Sequence, residues 1–299
     1  MPPGALSTIA ALAALASVLA CASEAPPTPS QAERKVPAAP AAELAPAAAA
    51  APKTAVAPPE PTPSAVDPVP VPRPKVDLEI TAADGVTVYA DHYALSESDG
   101  RHQPMILLFH QAGWNASEYD AIAPRLGALG FHVVAPDQRS GGTRGGRDNR
   151  TVKAHGKSTD FLHAYPDLVA TLAWAKRQHK GKLIVWGSSY SAALVFKLAA
   201  EHPDDIQAVL SFSPGEYIGK QGTVAGWAAD VHAPLFATSA PGKEVAATAA
   251  IAAAAQSSTK VHHKAAHGVH GSSILRDDRN KSGAAAVWTA VEAFLAQVR

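Results

Sequence analysis

The stretch Lys182-Leu183-Ile184-Val185-Trp186-Gly187-Ser188-Ser189-Tyr190-Ser191-Ala192-Ala193-Leu194 decides the fold of this chain. An apolar run stops at Gly187, passes through small residues and resumes as an alanine-rich helical pattern. This order predicts a buried strand, a sharp turn and a helix, with Ser189 at the turn.

A serine at such a turn has a specific chemical use. The strained corner between strand and helix projects the hydroxyl above the sheet, close to the N-terminus of the next helix. Gly187 supplies the small residue that is needed two positions before Ser189, whereas Ser191 replaces the second glycine of the common G-x-S-x-G pattern. The stretch therefore predicts that Ser189 is a nucleophile. A structural turn with ordinary serines is the alternative.

Strand-like and helical patterns alternate along the chain from about residue 76. Residues 76–93 alternate apolar and polar around Asp84-Gly85, which predicts an antiparallel hairpin. Strand-like runs follow at 105–109, 131–135, 182–186, 208–212, 234–238 and 260–265, and helical patterns at 117–129, 165–178, 191–202, 243–256 and 283–298. This alternation predicts an α/β fold with a mostly parallel, twisted sheet and helices on both faces. In such sheets the active site lies beyond the carboxyl ends of the strands.

The first 75 residues differ in composition from the rest. Residues 5–20 form an apolar run that is short for a membrane span and is followed by Cys21, which resembles a bacterial lipoprotein signal. No Lys or Arg precedes this run, so an ordinary cleaved signal peptide and a disordered leader are alternatives. Residues 22–75 are almost entirely Ala, Pro, Ser and Thr with scattered charge, which favours a disordered tether. We therefore expect a signal segment over 1–21, this tether, and one α/β domain over 76–299, exported and anchored to the bacterial cell envelope through lipidated Cys21.

Net charge and cysteine count argue against nucleic acid as a partner and against disulfides and cysteine-based metal sites. The formal net charge is +0, so no overall field favours nucleic acid, and the single cysteine allows no internal disulfide and no cysteine metal cage. His262, His263, His267 and His270 lie close together in the sequence, but no nearby carboxylate pair supports a zinc site. We expect no metal and no cofactor, and a monomer.

The segment His110-Gln111-Ala112-Gly113-Trp114 follows the run 105–109 at a second predicted strand end. A serine nucleophile of this kind needs main-chain N–H donors for the oxyanion, one from the residue after the serine and one from this earlier loop. We predict that Tyr190 and Gln111 supply them, with Ala112 as the alternative in the loop. The other interpretation is a plain strand end whose histidine is bonded to the backbone.

The general base should be a histidine late in the chain, because the acid and then the histidine follow an elbow serine in chain order. His270 follows the last strand-like run and is flanked by glycines, and His267 is the alternative. The acid should lie in the loop after 234–238, where Glu244 is the available carboxylate and Asp230 is the second choice. A helix charge without a catalytic role is the other interpretation of Glu244.

Three segments in this order and spacing resemble the α/β-hydrolase superfamily, and its dienelactone-hydrolase-like branch most: 110–114, 187–191 and 267–271. The resemblance covers 76–299 and implies a serine hydrolase with Ser189 as nucleophile, Glu244 as acid and His270 as base, with no cofactor. Dienelactone hydrolases proper use a cysteine at the elbow, so their lactone substrate is not transferred. Only residues 213–233 separate two predicted strands, so we expect no large lid domain and an open site for small acyl substrates.

The function that this resemblance implies is a carboxylesterase that works through an acyl-enzyme intermediate. A catalytically silent binding lipoprotein with the same fold is one alternative, and an acyltransferase or peptidase that uses the same residues is another. A glycine-rich loop over 138–160 carries cations that either attract an anionic substrate group or are solvated: Arg139, Arg144, Arg147, Arg150, Lys153 and Lys157.

Overall fold

The structure is a computed structural model that describes residues 73–96 and 102–299. The predicted signal segment, Cys21 and nearly all of the predicted tether lie outside the described residues. None of the helices in the described ranges is long and apolar enough to cross a membrane.

The described strands form one sheet in the order β1-β2-β4-β3-β5-β6-β7-β8. Their bounds are β1 (Val76–Thr81), β2 (Thr87–Tyr93), β3 (Met105–Phe109), β4 (His132–Pro136), β5 (Leu183–Ser188), β6 (Ile206–Phe212), β7 (Leu235–Ser239) and β8 (Lys260–Lys264). The β1–β2 and β2–β4 pairs are antiparallel, and all the other pairs are parallel. The predicted parallel sheet with an initial hairpin is therefore confirmed.

Helices cover both faces of this sheet. Their bounds are α1 (Ala123–Ala128), α2 (Arg150–His155), α3 (Tyr165–Gln178), α4 (Tyr190–Glu201), α5 (Thr223–Ala228), α6 (Lys243–Ala254) and α7 (Ala284–Val298). One buried cluster contains Leu172 of α3, Phe196 of α4 and Ile251 of α6. The other contains Leu126 of α1 and Phe294 of α7, so the core is divided by the sheet into two layers.

The central strand β5 explains why the apolar run at 183–186 is continuous. Leu183 and Val185 belong to one buried cluster, and Ile184 and Trp186 belong to the other. Because successive side chains of a strand point to opposite faces, a strand covered by helices on both faces must be apolar at every position.

Two differences from the predicted helices have local causes. The pattern at 117–129 is divided into a 3₁₀ turn, Ala116–Tyr119, and α1, which has Pro124 in its first turn. A proline lacks the N–H that an interior helical position donates, so it fits the start of a helix and not its middle. The short α2 was not predicted; it begins where the Asn149 side chain accepts a bond from the Val152 N–H at 2.8 Å.

The connection between β6 and β7 contains only the six-residue α5 as regular structure. The prediction of no large lid domain is therefore confirmed for residues 73–96 and 102–299. The carboxyl ends of β3, β5, β6, β7 and β8 all lie at one edge of the sheet, because these strands are parallel.

Candidate active site

The turn after β5 has the strained geometry expected of a nucleophile elbow. Ser189 has φ 59° and ψ −120°, a conformation that non-glycine residues rarely adopt. Its relative exposure is 9%, whereas Ser188 and Ser191 are 0% exposed. Of these three serines, only Ser189 has access to solvent.

The backbone of α4 passes very close to Gly187. A Cβ on this glycine would lie far inside van der Waals contact with the Ser191 carbonyl and the Ala192 Cα. The glycine therefore permits the tight approach of β5 to α4 that creates the elbow.

Gly187→Ala should destabilise the protein by about 3 kcal/mol, because rigid backbone must move to accept the new methyl group. Gly226→Ala in α5 is the matched control, since a Cβ there meets nothing within 4 Å. This control should stabilise the helix by about 0.5 to 1 kcal/mol. Urea unfolding of the two variants measures both values, and equal stability would contradict the steric explanation.

The serine in place of the second glycine of the elbow pattern has its own role. Ser191 Oγ donates to the His110 carbonyl at 2.7 Å and accepts from Gln138 Nε2 at 2.6 Å. These bonds tie the start of α4 to the loops that follow β3 and β4. A glycine would fit the turn but would make neither bond.

The structure brings together the three residues that were predicted as nucleophile, base and acid. His270 Nε2 lies 2.7 Å from Ser189 Oγ, and His270 Nδ1 lies 2.9 Å from Glu244 Oε1. The alternative base, His267, is exposed and does not contact Ser189. The second-choice acid, Asp230, is exposed and precedes β7, so it lies at the opposite edge of the sheet.

The two charged partners shift each other's pKa. The hydrogen bond with Glu244 raises the pKa of His270, and this effect outweighs partial burial, which lowers it. Burial raises the pKa of Glu244, but the hydrogen bond and charge of His270, together with the bonds from Ser213 and the Ala240 N–H, outweigh burial, and the pKa lies below its ordinary value. Glu244 is therefore held as the anion that can fix the imidazole tautomer and stabilise the imidazolium.

Glu244 and the loop that carries His270 are held by the end of β6. Ser213 has φ 57° and its Oγ accepts the N–H of Gly271 at 2.9 Å. The same hydroxyl bonds Glu244 and helps to lower its pKa. The Ala240 N–H also donates to Glu244 at 3.3 Å.

The structure corrects one part of the predicted oxyanion site. The main-chain N–H of Gln111 donates to Glu118 Oε2 at 2.8 Å. Because this N–H has only one proton, it is already used and Gln111 is the wrong donor. The main-chain N–H groups of Ala112, which was the predicted alternative, and of Tyr190 have no hydrogen-bond partner among the described residues.

His110 is a structural residue at the end of β3. It is fully buried, and its Nδ1 lies 2.9 Å from the Gln111 carbonyl while its Nε2 accepts from the Gln138 N–H at 2.9 Å. Burial lowers the pKa of His110 to about 4. A neutral imidazole bonded to the backbone on both sides is not available as a base, which agrees with the second interpretation of this histidine.

The cations of the loop over 138–160 divide into paired and unpaired groups. Aspartates hold four of them in ion pairs: Arg139 with Asp84 and Asp167, Arg147 with Asp91 and Asp137, Arg150 with Asp77, Asp91 and Asp137, and the exposed Lys153 with Asp148. These three arginines stabilise the loop and are not free to bind a substrate anion. Arg144 is exposed without an ion pair among the described residues, and its Nε lies 3.8 Å from where a Cβ would stand on Gly113. Of these arginines, only Arg144 is free to act beside the loop after β3.

No group of three or more His, Cys, Asp or Glu side chains that could hold a metal ion occurs in the part of the chain that the structure describes. His262 and His263 lie on β8, where the His263 ring stacks on Phe236 with centroids 6.3 Å apart.

The sheet order, the elbow and the hydrogen-bonded serine, histidine and glutamate define the class of α/β-hydrolases. Residues 100–278, more than half of the 299-residue chain, match the family described as serine aminopeptidase, S33. The chain belongs to this hydrolase family.

Solved structures of similar fold include a putative dienelactone hydrolase, Est1E and an esterase. A putative dienelactone hydrolase from Klebsiella pneumoniae matches with a TM-score of 0.57 and 18% identity over 75% of this chain and 100% of that one. Est1E from Butyrivibrio proteoclasticus matches with a TM-score of 0.55 and 14% identity over 74% of this chain and 98% of its own. The Pyrococcus furiosus esterase Pf2001 matches with a TM-score of 0.55 and 17% identity over 75% and 91%. At these identities the matches establish the fold.

Proposed function

We propose that this protein is a serine hydrolase that cleaves small carboxylic esters through an acyl-enzyme intermediate. The observation that carries the proposal is the continuous pair of hydrogen bonds from Ser189 to His270 and from His270 to Glu244. Ser189 is also the one serine of the elbow with access to solvent. A nucleophile that contacts an oriented base is the minimum arrangement for covalent acyl transfer.

The proposed reaction uses each of these groups in turn. Ser189 Oγ attacks the ester carbonyl while its proton moves to His270 Nε2, and Glu244 stabilises the resulting imidazolium. The N–H groups of Ala112 and Tyr190 bind the oxyanion, and a donor of this kind contributes about 3 kcal/mol. His270 then protonates the departing alcohol, and the acyl group stays on Ser189. A water molecule, deprotonated by His270, hydrolyses the acyl-enzyme and releases the carboxylic acid.

Ester cleavage suits this site better than aminopeptidase activity. An aminopeptidase must bind a free α-amino group, and a carboxylate is the usual partner for an ammonium group. Glu118 and Glu244 are the carboxylates in the hydrogen-bond network of Ser188, Ser189 and His270, and internal hydrogen bonds already engage both. The absence of a large lid domain, in turn, favours small soluble substrates over long acyl chains.

Labelling the full chain with a fluorophosphonate probe tests the proposal, with the modified peptide identified by mass spectrometry. We expect modification at Ser189, together with hydrolysis of p-nitrophenyl acetate and butyrate that exceeds hydrolysis of alanine p-nitroanilide. Faster cleavage of the anilide would favour the peptidase. A folded protein that neither reacts with the probe nor cleaves an ester would favour the binding lipoprotein.

The pH dependence of the proposed activity follows from the pKa of His270. The base must be neutral, and Glu244 raises its pKa above 6.5, so kcat/KM should fall as pH decreases through a value above 6.5. Glu244→Gln removes the main cause of this shift, and the acid limb should move to lower pH while kcat falls roughly 10⁴-fold. Asp230→Asn is the matched control and should leave both unchanged. If the acid limb of kcat/KM in Glu244→Gln stayed at the wild-type pH, a group other than His270 paired with Glu244 would determine it.

We also propose that the protein is exported to the bacterial cell envelope and anchored there by a lipidated Cys21. The support is the apolar run that ends before this cysteine and the Ala/Pro-rich segment after it. Incorporation of labelled palmitate into the wild type but not into Cys21→Ser would support the anchor, and no incorporation into either would refute it. The expectation of a monomer that binds no nucleic acid stays a prediction.

A further inference from the structure

A fully buried carboxyl group lies beneath the elbow and has no part in the reaction described above. Glu118 is 0% exposed, and its Oε2 accepts from the Gln111 N–H at 2.8 Å. Its Oε1 accepts from Gln111 Nε2 at 2.9 Å and from Ser188 Oγ at 2.7 Å. The Ser188 hydroxyl in turn accepts the N–H of Ser272 at 2.8 Å. One side chain thereby joins the loop after β3, the elbow, and the loop that carries His270.

The partners of Glu118 define its charge. All three groups that contact the carboxyl are donors, since the Ser188 hydroxyl receives the Ser272 N–H and directs its own proton to Glu118. Both Gln111 groups can only donate, so a protonated carboxyl would give up one of these bonds or turn its proton toward Ser188 Oγ, and the contacts therefore favour the carboxylate. Burial raises the pKa of Glu118 above its ordinary value, and its hydrogen-bond donors offset only part of this effect.

The loop that carries His270 packs directly on this network. Gly271 has φ 70°, and a Cβ there would lie 2.5 Å from Ser188 Oγ and 3.2 Å from Gln111 Nε2. The residue next to the base therefore rests on two of the groups that Glu118 holds. The negative charge of Glu118 also helps to raise the pKa of His270.

We propose that Glu118 is a positioning residue for the ester hydrolysis proposed above, on which this inference rests. Its carboxylate binds the Gln111 N–H and side-chain amide, so the loop after β3 is fixed with the Ala112 N–H left free for the oxyanion. Through Ser188 it also fixes the loop that carries His270. The same charge favours the imidazolium that forms when Ser189 attacks.

Glu118→Gln in the full chain is the principal test, because it keeps the shape and replaces the charge and one acceptor with an amide. A misplacement of about 1 Å at a reacting group can cost 10²-fold in rate, so we expect kcat for p-nitrophenyl acetate to fall about 10- to 100-fold. KM should change less than about threefold, because the substrate does not contact Glu118. The acid limb of the pH profile should also move to lower pH, since a charge that favours protonated His270 is gone.

Two further variants separate positioning from structural support. Glu118→Asp keeps the charge but shortens its reach, so kcat should fall while the acid limb stays near its wild-type position. Glu216→Gln is the matched control: Glu216 also accepts two main-chain N–H groups, from Val224 and Ala225, but does not touch the three loops. Its kcat and acid limb should equal those of the wild type.

The pKa of His270, followed by NMR of histidine Cε1–H signals, gives a readout that needs no activity. Other titratable groups that face Glu118 are the phenols of Tyr119 and Tyr190, which titrate far above this range. A lower His270 pKa in Glu118→Gln supports the proposal even if no ester is cleaved, in which case only the esterase function is refuted. A folded Glu118→Gln protein with wild-type kcat and an unchanged His270 pKa would overturn the proposal. A rise in KM as the only change would also overturn it.

Discussion

Replacing Ser189 by alanine should lower kcat for ester hydrolysis roughly 10⁴- to 10⁶-fold and abolish fluorophosphonate labelling. The reason is that the acyl group has no other attachment point: the hydroxyls of Ser188 and Ser191 are 0% exposed and are engaged in internal bonds. The residual rate comes from oxyanion stabilisation and substrate binding alone. Initial rates with p-nitrophenyl butyrate, at enzyme concentrations high enough to detect the residual rate, measure this loss.

The control for this prediction is Ser282→Ala, an exposed serine outside the site. It should keep wild-type rates and labelling. Ser189→Ala should fold with close to wild-type stability, because alanine keeps the Cβ and therefore the same backbone strain at φ 59°. Retained labelling in a folded Ser189→Ala protein would refute Ser189 as the nucleophile.

The parts of the fold that follow from periodicity could be predicted from the sequence. The run 183–186 is apolar because both faces of its strand are covered, and Gly187 marks the turn because α4 passes too close for a side chain. The same logic located the strand ends, and parallel strands necessarily bring these ends to one edge. For this reason the sequence alone predicts that His270 and Glu244, which are 26 residues apart, lie together with Ser189.

The parts that depend on side-chain contacts between distant segments could not be predicted in this way. Gln111 was chosen as an oxyanion donor from its place in the loop, but whether its N–H is free depends on Glu118. A signal for Glu118 was present, since it stands four residues before Ile122 and eight before Leu126, which are both fully buried. A carboxylate on the apolar face of a helical pattern indicates a buried polar network, although not which loops it joins. Gln138, whose side chain bonds the His110 N–H and Tyr190 Oη, carried no such signal.

The second prediction with a large expected effect on kcat concerns which of two histidines, His270 or His267, is the general base. His270→Ala should lower kcat roughly 10⁴- to 10⁶-fold, because its imidazole is the group that contacts Ser189 Oγ. His267→Ala should change kcat less than about threefold, since that side chain is exposed and lies outside the hydrogen-bonded set. Each variant removes one imidazole, and the two positions are three residues apart. Steady-state rates of the two variants therefore measure the difference directly.

The double variant Ser189→Ala/His270→Ala tests whether the two residues act together in one catalytic mechanism. Residues that act as one catalytic unit are strongly non-additive, so the double variant should be no slower than Ser189→Ala alone. If His270 only supported the fold, its loss would multiply with that of Ser189 and would also lower the midpoint of thermal unfolding. A multiplicative loss, or a His267→Ala defect larger than that of His270→Ala, would therefore contradict the assignment of the base.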